Sequence, residues 1–339
     1  MNDSSYSINN QIIKASEKDY LATIVKVEGS AYRKEGTMML FCENGQRYGV
    51  LSVGCLEEDI ANRIQQLKKP SSMLLSFDMK SEDDLSWGAG AGCNGIIHVL
   101  VESCSESIRK TAMIIQTYLR NGEEITLYKK IEKNRSFSTV ILKKNQMTVY
   151  QNGKDFIQTD DIKQDKGTAG LVSLSKKDYL YFQSFLPKRN VFIFGAGDDV
   201  KPLVSYLEPL NFQIVICDWR EGYISNERFP QTCEKKLIST DKILQQIEVK
   251  DDDFVILMTH QFQKDQILLK QLLKQNISYI GILGSKSRTE RLLEEKQIPA
   301  NVYSPIGEHI HAEGPNEIAI SIVAQLIRMK QIKVQEVGS

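Results

Sequence analysis

Apolar positions in the first part of the chain change their period several times, and each change predicts an element. Residues 21–28 are rich in β-branched side chains and stop at Gly29-Ser30, as a strand entering a turn does. Shorter strands are predicted at 37–42 and 47–52. The period then lengthens: Leu56, Ile60, Ile64 and Leu67 recur at helical spacing with polar residues between them, and Pro70 follows. A helix starting at or beside Cys55 is expected. Apolar segments at 73–77 and 96–101 bracket a glycine-rich stretch, Trp87-Gly88-Ala89-Gly90-Ala91-Gly92-Cys93-Asn94-Gly95. Ile108, Ala112, Ile115 and Leu119 mark another helix, stopped by Asn121-Gly122. Residues 1–122 are thus expected to form a mixed α/β domain.

Segments near 125–131, 137–142 and 147–151 resemble strands of a small antiparallel insertion, and 153–177 is polar and weakly patterned. Residues 123–187 are assigned to this connecting β-rich region. Beyond it, apolar runs at 191–194, 214–217, 254–258 and 279–283 alternate with amphipathic stretches, the sequence form of a doubly wound parallel sheet. Leu268, Leu272 and Leu273 mark one crossover helix. Ile318, Ile322, Leu326 and Ile327 mark the last, opened by Gly314-Pro315. The expected fold class is α/β: an N-terminal mixed α/β domain, then a C-terminal Rossmann-like doubly wound parallel sheet over 188–333.

Composition narrows the function. A length of 339 residues fits about two domains. Lys plus Arg and Asp plus Glu both total 43, so no global field draws the chain to nucleic acid. The start lacks the basic and apolar regions of a signal peptide, and no apolar run reaches membrane-spanning length, so a cytoplasmic protein is expected. The six cysteines form no CxxC pair, which points to free thiols in a reducing compartment. Cys42, Cys104, Cys217 and Cys233 lie in or beside apolar segments and read as structural.

The chemistry concentrates at two places. After the strand at 191–194 comes Gly195-Ala196-Gly197-Asp198-Asp199-Val200 and then a helical pattern, with Asp218 near the distance expected of a ribose-binding acid. Glycines at this position let backbone approach a pyrophosphate at a helix N-terminus. Val200 stands at the third glycine position, where its branched side chain is expected to separate helix from strand, and Asp198 and Asp199 place negative charge against an anion. The other reading is a tight turn that holds no dinucleotide. His260 follows the run at 254–258, at the carboxyl edge of the sheet where such folds bind ligands, or is a hydrogen-bonded loop residue. Ser285, Lys286 and Arg288 open a helix after the next strand and offer anion chemistry, against a solvated basic helix start.

In the first half, Ser52-Val53-Gly54-Cys55 puts a thiol at a helix start, where the dipole favours thiolate, although Glu57 and Glu58 partly neutralise that field. Cys55 is a candidate nucleophile or a simply buried cysteine. Cys93, in the glycine-rich stretch, is expected to be accessible unless a ligand orders it, or is an ordinary loop cysteine.

Several separated motifs then agree. Val27-Glu28-Gly29-Ser30-Ala31-Tyr32-Arg33 with Gly36, residues 52–57, Gly92-Cys93-Asn94-Gly95, Phe194-Gly195-Ala196-Gly197, Met258-Thr259-His260, Gly281-Ile282-Leu283-Gly284-Ser285, Ser304-Pro305-Ile306-Gly307 and Pro315-Asn316-Glu317-Ile318-Ala319 together resemble the XdhC/CoxI family of molybdoenzyme maturation factors. Val53 stands where that family has a second glycine, and Asp198 where it usually has histidine. The resemblance implies a cofactor carrier rather than an enzyme. Such a carrier holds the molybdenum cofactor as molybdopterin, in mononucleotide or cytosine dinucleotide form, and supports exchange of an oxo for a sulfido ligand. It inserts the product into apo xanthine dehydrogenase or a related molybdenum hydroxylase, placing it in purine catabolism. It also implies a cysteine desulfurase as partner, self-association, and Cys55 and Cys93 as molybdenum ligands. Gly195, Gly197, Asp218, His260, Ser285 and Lys286 are then the remaining cofactor contacts, and Cys55 a sulfur relay in a variant of the scheme. The competing expectation is an NAD(P)-dependent oxidoreductase using the Gly195 turn and Asp218.

Overall fold

The computed structural model describes residues 5–52, 54–67, 71–79, 94–132, 135–143, 145–153, 167–175, 177–239 and 243–337. Cys93 lies outside them. The chain forms two compact units, Met1–Pro187 and Lys188–Val337.

The first unit is built on a five-stranded antiparallel sheet. Its central strand, β1 (Tyr20–Ser30), pairs with β2 (Met38–Phe41) and with β5 (Asn94–Ser103); β3 (Arg47–Tyr48) and β4 (Ser72–Asp78) form the edges. Alternation along β1 sends Ala22 and Ile24 to one face, where Leu56 and Ile60 of helix α2 (Cys55–Gln65) cover them. Leu21 goes to the other, under helices α1 (Ser5–Lys14) and α3 (Glu106–Arg120). The strand expected at 47–52 ends at Tyr48, because the amides of Leu51 and Ser52 bond to a side chain instead of a ladder.

A second five-stranded antiparallel sheet follows. It comprises β6 (Ile125–Glu132), β7 (Arg135–Lys143), β8 (Thr148–Asn152), β9 (Ala169–Ser173) and β10 (Asp178–Phe185), in the order β8-β7-β6-β10-β9. Val25 and Leu100 of the first sheet share a buried cluster with Ile131 and Tyr181 of the second. Lys129 meets Glu102 at 2.5 Å with both side chains buried, and Gln183 donates to the Gly36 carbonyl at 2.9 Å. A charge pair this deep costs desolvation and is tolerated only when both partners are present.

The second unit holds a six-stranded, all-parallel sheet. Its strands are β11 (Arg189–Phe194), β12 (Phe212–Asp218), β13 (Glu234–Leu237), β14 (Phe254–Leu257), β15 (Tyr279–Ile282) and β16 (Val302–Tyr303). The order β13-β12-β11-β14-β15-β16 is that of a Rossmann sheet, reversing direction between β11 and β14. Val191 and Ile193 face helices α4 (Val200–Leu207) and α8 (Gly314–Val337). Phe192 and Phe194 face the opposite layer, including α5 (Ile243–Gln246), α6 (Phe262–Leu272) and α7 (Lys286–Leu293). Both faces are covered, so the strands read as unbroken apolar runs. Val200 is fully buried beside Ala196, Leu203 and Val204, so its branched side chain fills the helix–sheet interface.

Candidate functional site

The reversal point between β11 and β14 brings the Gly195 turn against the Met258-Thr259-His260 segment. Gly195 has φ +109°, and a side chain there would drive into the Met258 carbonyl, so both backbone freedom and close approach require glycine. Asp218 closes the turn from the other side. Its carboxylate is fully buried, accepts from the Ala196 amide at 2.8 Å, and takes the Arg220 guanidinium in a fork at 2.8 and 2.9 Å. The Arg220 amide also donates to it at 2.9 Å. This is the strand-end role open to an acid at that position: Asp218 fastens the turn. The pairing raises the Arg220 pKa further above its ordinary value.

Beyond Ala196, the amides of Gly197, Asp198 and Asp199 donate to no group among the described residues. They precede helix α4, whose N-terminal partial charge favours an anion. The opposing charge expected of Asp198 is drawn into ion pairs, whereas the Asp199 carboxylate lies against Gly197, on the turn itself. Asp198 pairs with Lys201 at 2.8 Å and with Arg228 at 3.0 Å, and the hydrogen bond from Lys201, first of these effects, lowers its pKa. Asp199, at the N-cap position of α4, makes no cap bond to its own helix. It bonds to His260 Nε2 at 2.7 Å instead. His260 itself sits at φ +57°, a backbone region that non-glycine residues occupy at a cost.

What holds His260 there is a buried relay. Asp265, 1 % exposed, accepts from Thr259 Oγ1 at 2.5 Å and from Arg288 Nη2 at 2.7 Å. Thr259 Oγ1 in turn accepts from the Gln261 amide at 3.1 Å. Arg288 is therefore committed to positioning, not presented to an anion as its sequence context suggested. Ser285 caps α7 by accepting from the Arg288 amide, and Lys286, the first residue of that helix, is exposed. Ser285 and Lys286 stand at the end of β15, one strand beyond His260.

Under the turn lies a cavity of about 380 Å³, within the span of small-molecule sites at roughly 300–1,000 Å³. Its walls are the apolar side chains of Leu203, Met258, Leu283, Ile318 and Ile322; Asp199 and His260 also border it, but its exposed lining is almost wholly apolar. Gly314 and Pro315, at the start of α8, complete it. Sequence reasoning missed Asp199 as a cavity residue and the α8 start as a wall. The motif Pro315-Asn316-Glu317-Ile318-Ala319 was the available signal, although it reads locally only as a helix opening. A cationic and aromatic ladder also flanks the turn: Arg220 lies 3.7 Å over the Tyr223 ring, and Lys264 4.2 Å over Trp219.

In the first unit, α2 starts at Cys55 as expected, after Gly54 at φ +124°. Glu57 does more than weaken the helix dipole. Its buried carboxylate accepts from the amides of Leu51, Ser52 and Gly54 at 3.1, 2.6 and 3.1 Å and from Ser52 Oγ at 2.8 Å. Glu58 pairs with Arg47 at 2.6 Å on the surface. Cys104 and Cys217 are buried, and burial pushes both thiols up to about 12, which leaves them inert at neutral pH. Among the described residues no cluster of three or more His, Cys, Asp or Glu has the geometry of a metal site, and no helix is long and apolar enough to cross a membrane.

These arrangements can be set beside known proteins. A family model described as the XdhC and CoxI family matches residues 12–78, and one described as the XdhC Rossmann domain matches 191–326. A probable xanthine dehydrogenase subunit of Bacillus subtilis (strain 168) is 39% identical over 321 residues, covering 94% of this chain and 96% of that protein. The uncharacterized protein YqeB of Escherichia coli (strain K12) is 29% identical over 146 residues, 41% of this chain and 27% of its own length. A crystal structure described as a xanthine dehydrogenase from Bacillus halodurans superposes with a TM-score of 0.86 at 36% identity, over 98% of this chain and 96% of that one. Two family models on separate units and a relative matched over nearly its whole length leave one conclusion: the chain belongs to the XdhC and CoxI family.

Proposed function

We propose that this protein is an accessory factor for a xanthine dehydrogenase, and that it carries the molybdenum cofactor to that client as cargo. The observation that carries the reading is the reversal-point site of the second unit. Three amides at a helix start that donate to no group among the described residues adjoin an apolar cavity, a combination suited to a ligand that joins a phosphate to a flat ring. The amides of Gly197, Asp198 and Asp199 would take the phosphate and the cavity the ring. Cys55, with Cys93, would offer thiolate to a soft metal. In the proposed scheme the carrier supports sulfuration of the cofactor, meets a cysteine desulfurase, self-associates, and works in the cytoplasm within purine catabolism. Ser285 and Lys286 would meet the more distant part of an extended, dinucleotide form.

The test is direct. Oxidation of protein purified from a cofactor-competent host should release a fluorescent pterin. No pterin at any stoichiometry, together with no binding of added cofactor, rejects the role. The Rossmann strand order also favours a second reading, an NAD(P)-dependent oxidoreductase. That reading needs a free acid for the ribose, whereas Asp218 is engaged by Ala196 and Arg220. Calorimetry showing tight binding of either nicotinamide dinucleotide would restore it.

A further inference from the structure

We propose that His309 and His311 form a binding site for a divalent transition metal, separate from the turn before α4. Neither histidine takes part in the carrier reading and the test involves no cargo, so the two proposals stand or fall apart. The chain has four histidines, and these two occupy the segment that joins β16 to α8, both exposed, with Ile310 between them. Their ring centroids lie 4.7 Å apart and their planes are tilted by 49°. Tyr279 and Tyr303, at a similar 4.5 Å, lie at 21° in a stack, so the imidazoles are close without being stacked. A metal sits about 2.0–2.1 Å from an imidazole nitrogen, which puts the centroids of two rings on one ion roughly 4.5 Å apart for right-angled ligands and roughly 5.2 Å apart for tetrahedral ones. The observed spacing falls within that span.

The segment is held on both sides of the pair. Before it, the Gly307 amide and carbonyl bond to the Gln325 side chain, each at 3.0 Å, the Glu308 amide donates to the Ser321 carbonyl at 3.0 Å, and the Glu308 carboxylate pairs with Arg328 at 2.7 Å. After it, the Glu317 carboxylate accepts from the Glu313 amide at 2.7 Å, which ties the loop to the first turn of α8. His311 itself sits at φ +55°, a region that residues other than glycine rarely occupy. Ligands held near each other before the metal arrives lose less freedom on binding it. The surrounding charge suits a cation, since Glu308, Glu313 and Glu317 all lie within six residues of His311 and no lysine or arginine does. Imidazole nitrogen selects nickel, copper or zinc over magnesium or calcium, with water filling the remaining positions.

Nickel(II) is the probe, because it binds imidazole and broadens the nuclear magnetic resonance signals of the rings that hold it. The untagged, full-length protein carrying isotope-labelled histidine is titrated, and affinity is read from each imidazole signal. Substoichiometric nickel is expected to broaden His309 and His311 together and to leave His98 and His260 sharp. Magnesium at the same concentrations should change none of them. His309→Ala and His311→Ala should each weaken binding, read at the remaining histidine, by about tenfold or more. His311→Gly separates ligation from folding. Glycine suits φ +55°, so this variant should melt no lower than wild type while losing nickel to the same extent. Parallel broadening of all four histidines, unchanged affinity in either alanine variant, or no effect of nickel at millimolar concentration would each overturn the proposal.

Discussion

The turn before α2 and the turn before α4 both place glycine and polar residues at a helix start, yet they dispose of their amides in opposite ways. Before α2, the Glu57 carboxylate folds back and takes the amides of Leu51, Ser52 and Gly54, leaving little for an outside anion. Before α4, Asp218 takes the Ala196 amide, and the next three amides meet no acceptor among the described residues. A helix start is a ligand site only where the chain has not already supplied the anion. Among the described residues, the loop before α2 is tied by that carboxylate at three amides, whereas the turn before α4 is tied at its base and open at its tip.

The largest test of this contrast is Asp218→Ala. It would strand the Arg220 guanidinium beside a buried void and free the Ala196 amide, with an expected loss of about 3–5 kcal/mol in denaturant unfolding. A loss below about 1 kcal/mol would mean the acid is not what fastens the glycine turn. Glu57→Ala should cost less, about 2–3 kcal/mol, because water can reach part of the released loop. If Glu57→Ala instead creates phosphate binding in the first unit, the two turns differ by that carboxylate alone.

A third test concerns a charge with too few partners. Lys330, on the helix that walls the cavity, has its pKa lowered to about 8, chiefly by burial and then by Arg189 and Lys188; its acceptor is the Asn211 carbonyl at 3.4 Å. The folded pKa lies below the unfolded one, so the native state binds fewer protons between the two, and stability rises with pH through that window. Lys330→Met should therefore stabilise by about 1 kcal/mol near neutrality, with the gain shrinking as pH climbs from 8 toward 10. A gain that persists unchanged at pH 10 would show that ionisation is not the cause. The smallest effect is expected of Asp198→Asn. The lowered pKa of Asp198 means that its ion pairs stabilise the protein above the usual carboxylate range and cease to do so as acid protonates it. Wild type and variant should thus converge in stability at low pH, while the variant binds phosphate somewhat more tightly at pH 7.

The parallel sheet was readable because buried strands such as β11 and β14 are unbroken apolar runs, and glycine after a strand has few other uses. Strand β1 was readable for the same reason, since both of its faces are covered and its first six residues are buried. Strand β10 was not, since its short aromatic run is broken by Gln183 and Ser184 and follows a polar stretch without periodicity. At the site, Asp218 was located by its distance from the turn, but its role depended on Arg220 and Ala196 sharing it. The Asp199–His260 bond joins residues 61 positions apart, and nothing local announces such a pairing. The same holds for Arg288, whose setting suggested anion binding until its partner Asp265, 23 positions earlier, was placed beside it. The inward fold of Glu57 is a capping pattern disguised by glycine at the position where serine or threonine would have flagged it.

That internal carboxylate has an experimental consequence for the thiol beside it. Because Glu57 ties the loop to the first turn of its own helix, the backbone at residue 55 should keep its shape when the side chain there is changed. Exchanging sulfur for oxygen in Cys55→Ser would then alter reactivity without rebuilding the scaffold, so a lost transfer step could be charged to chemistry and not to collapse.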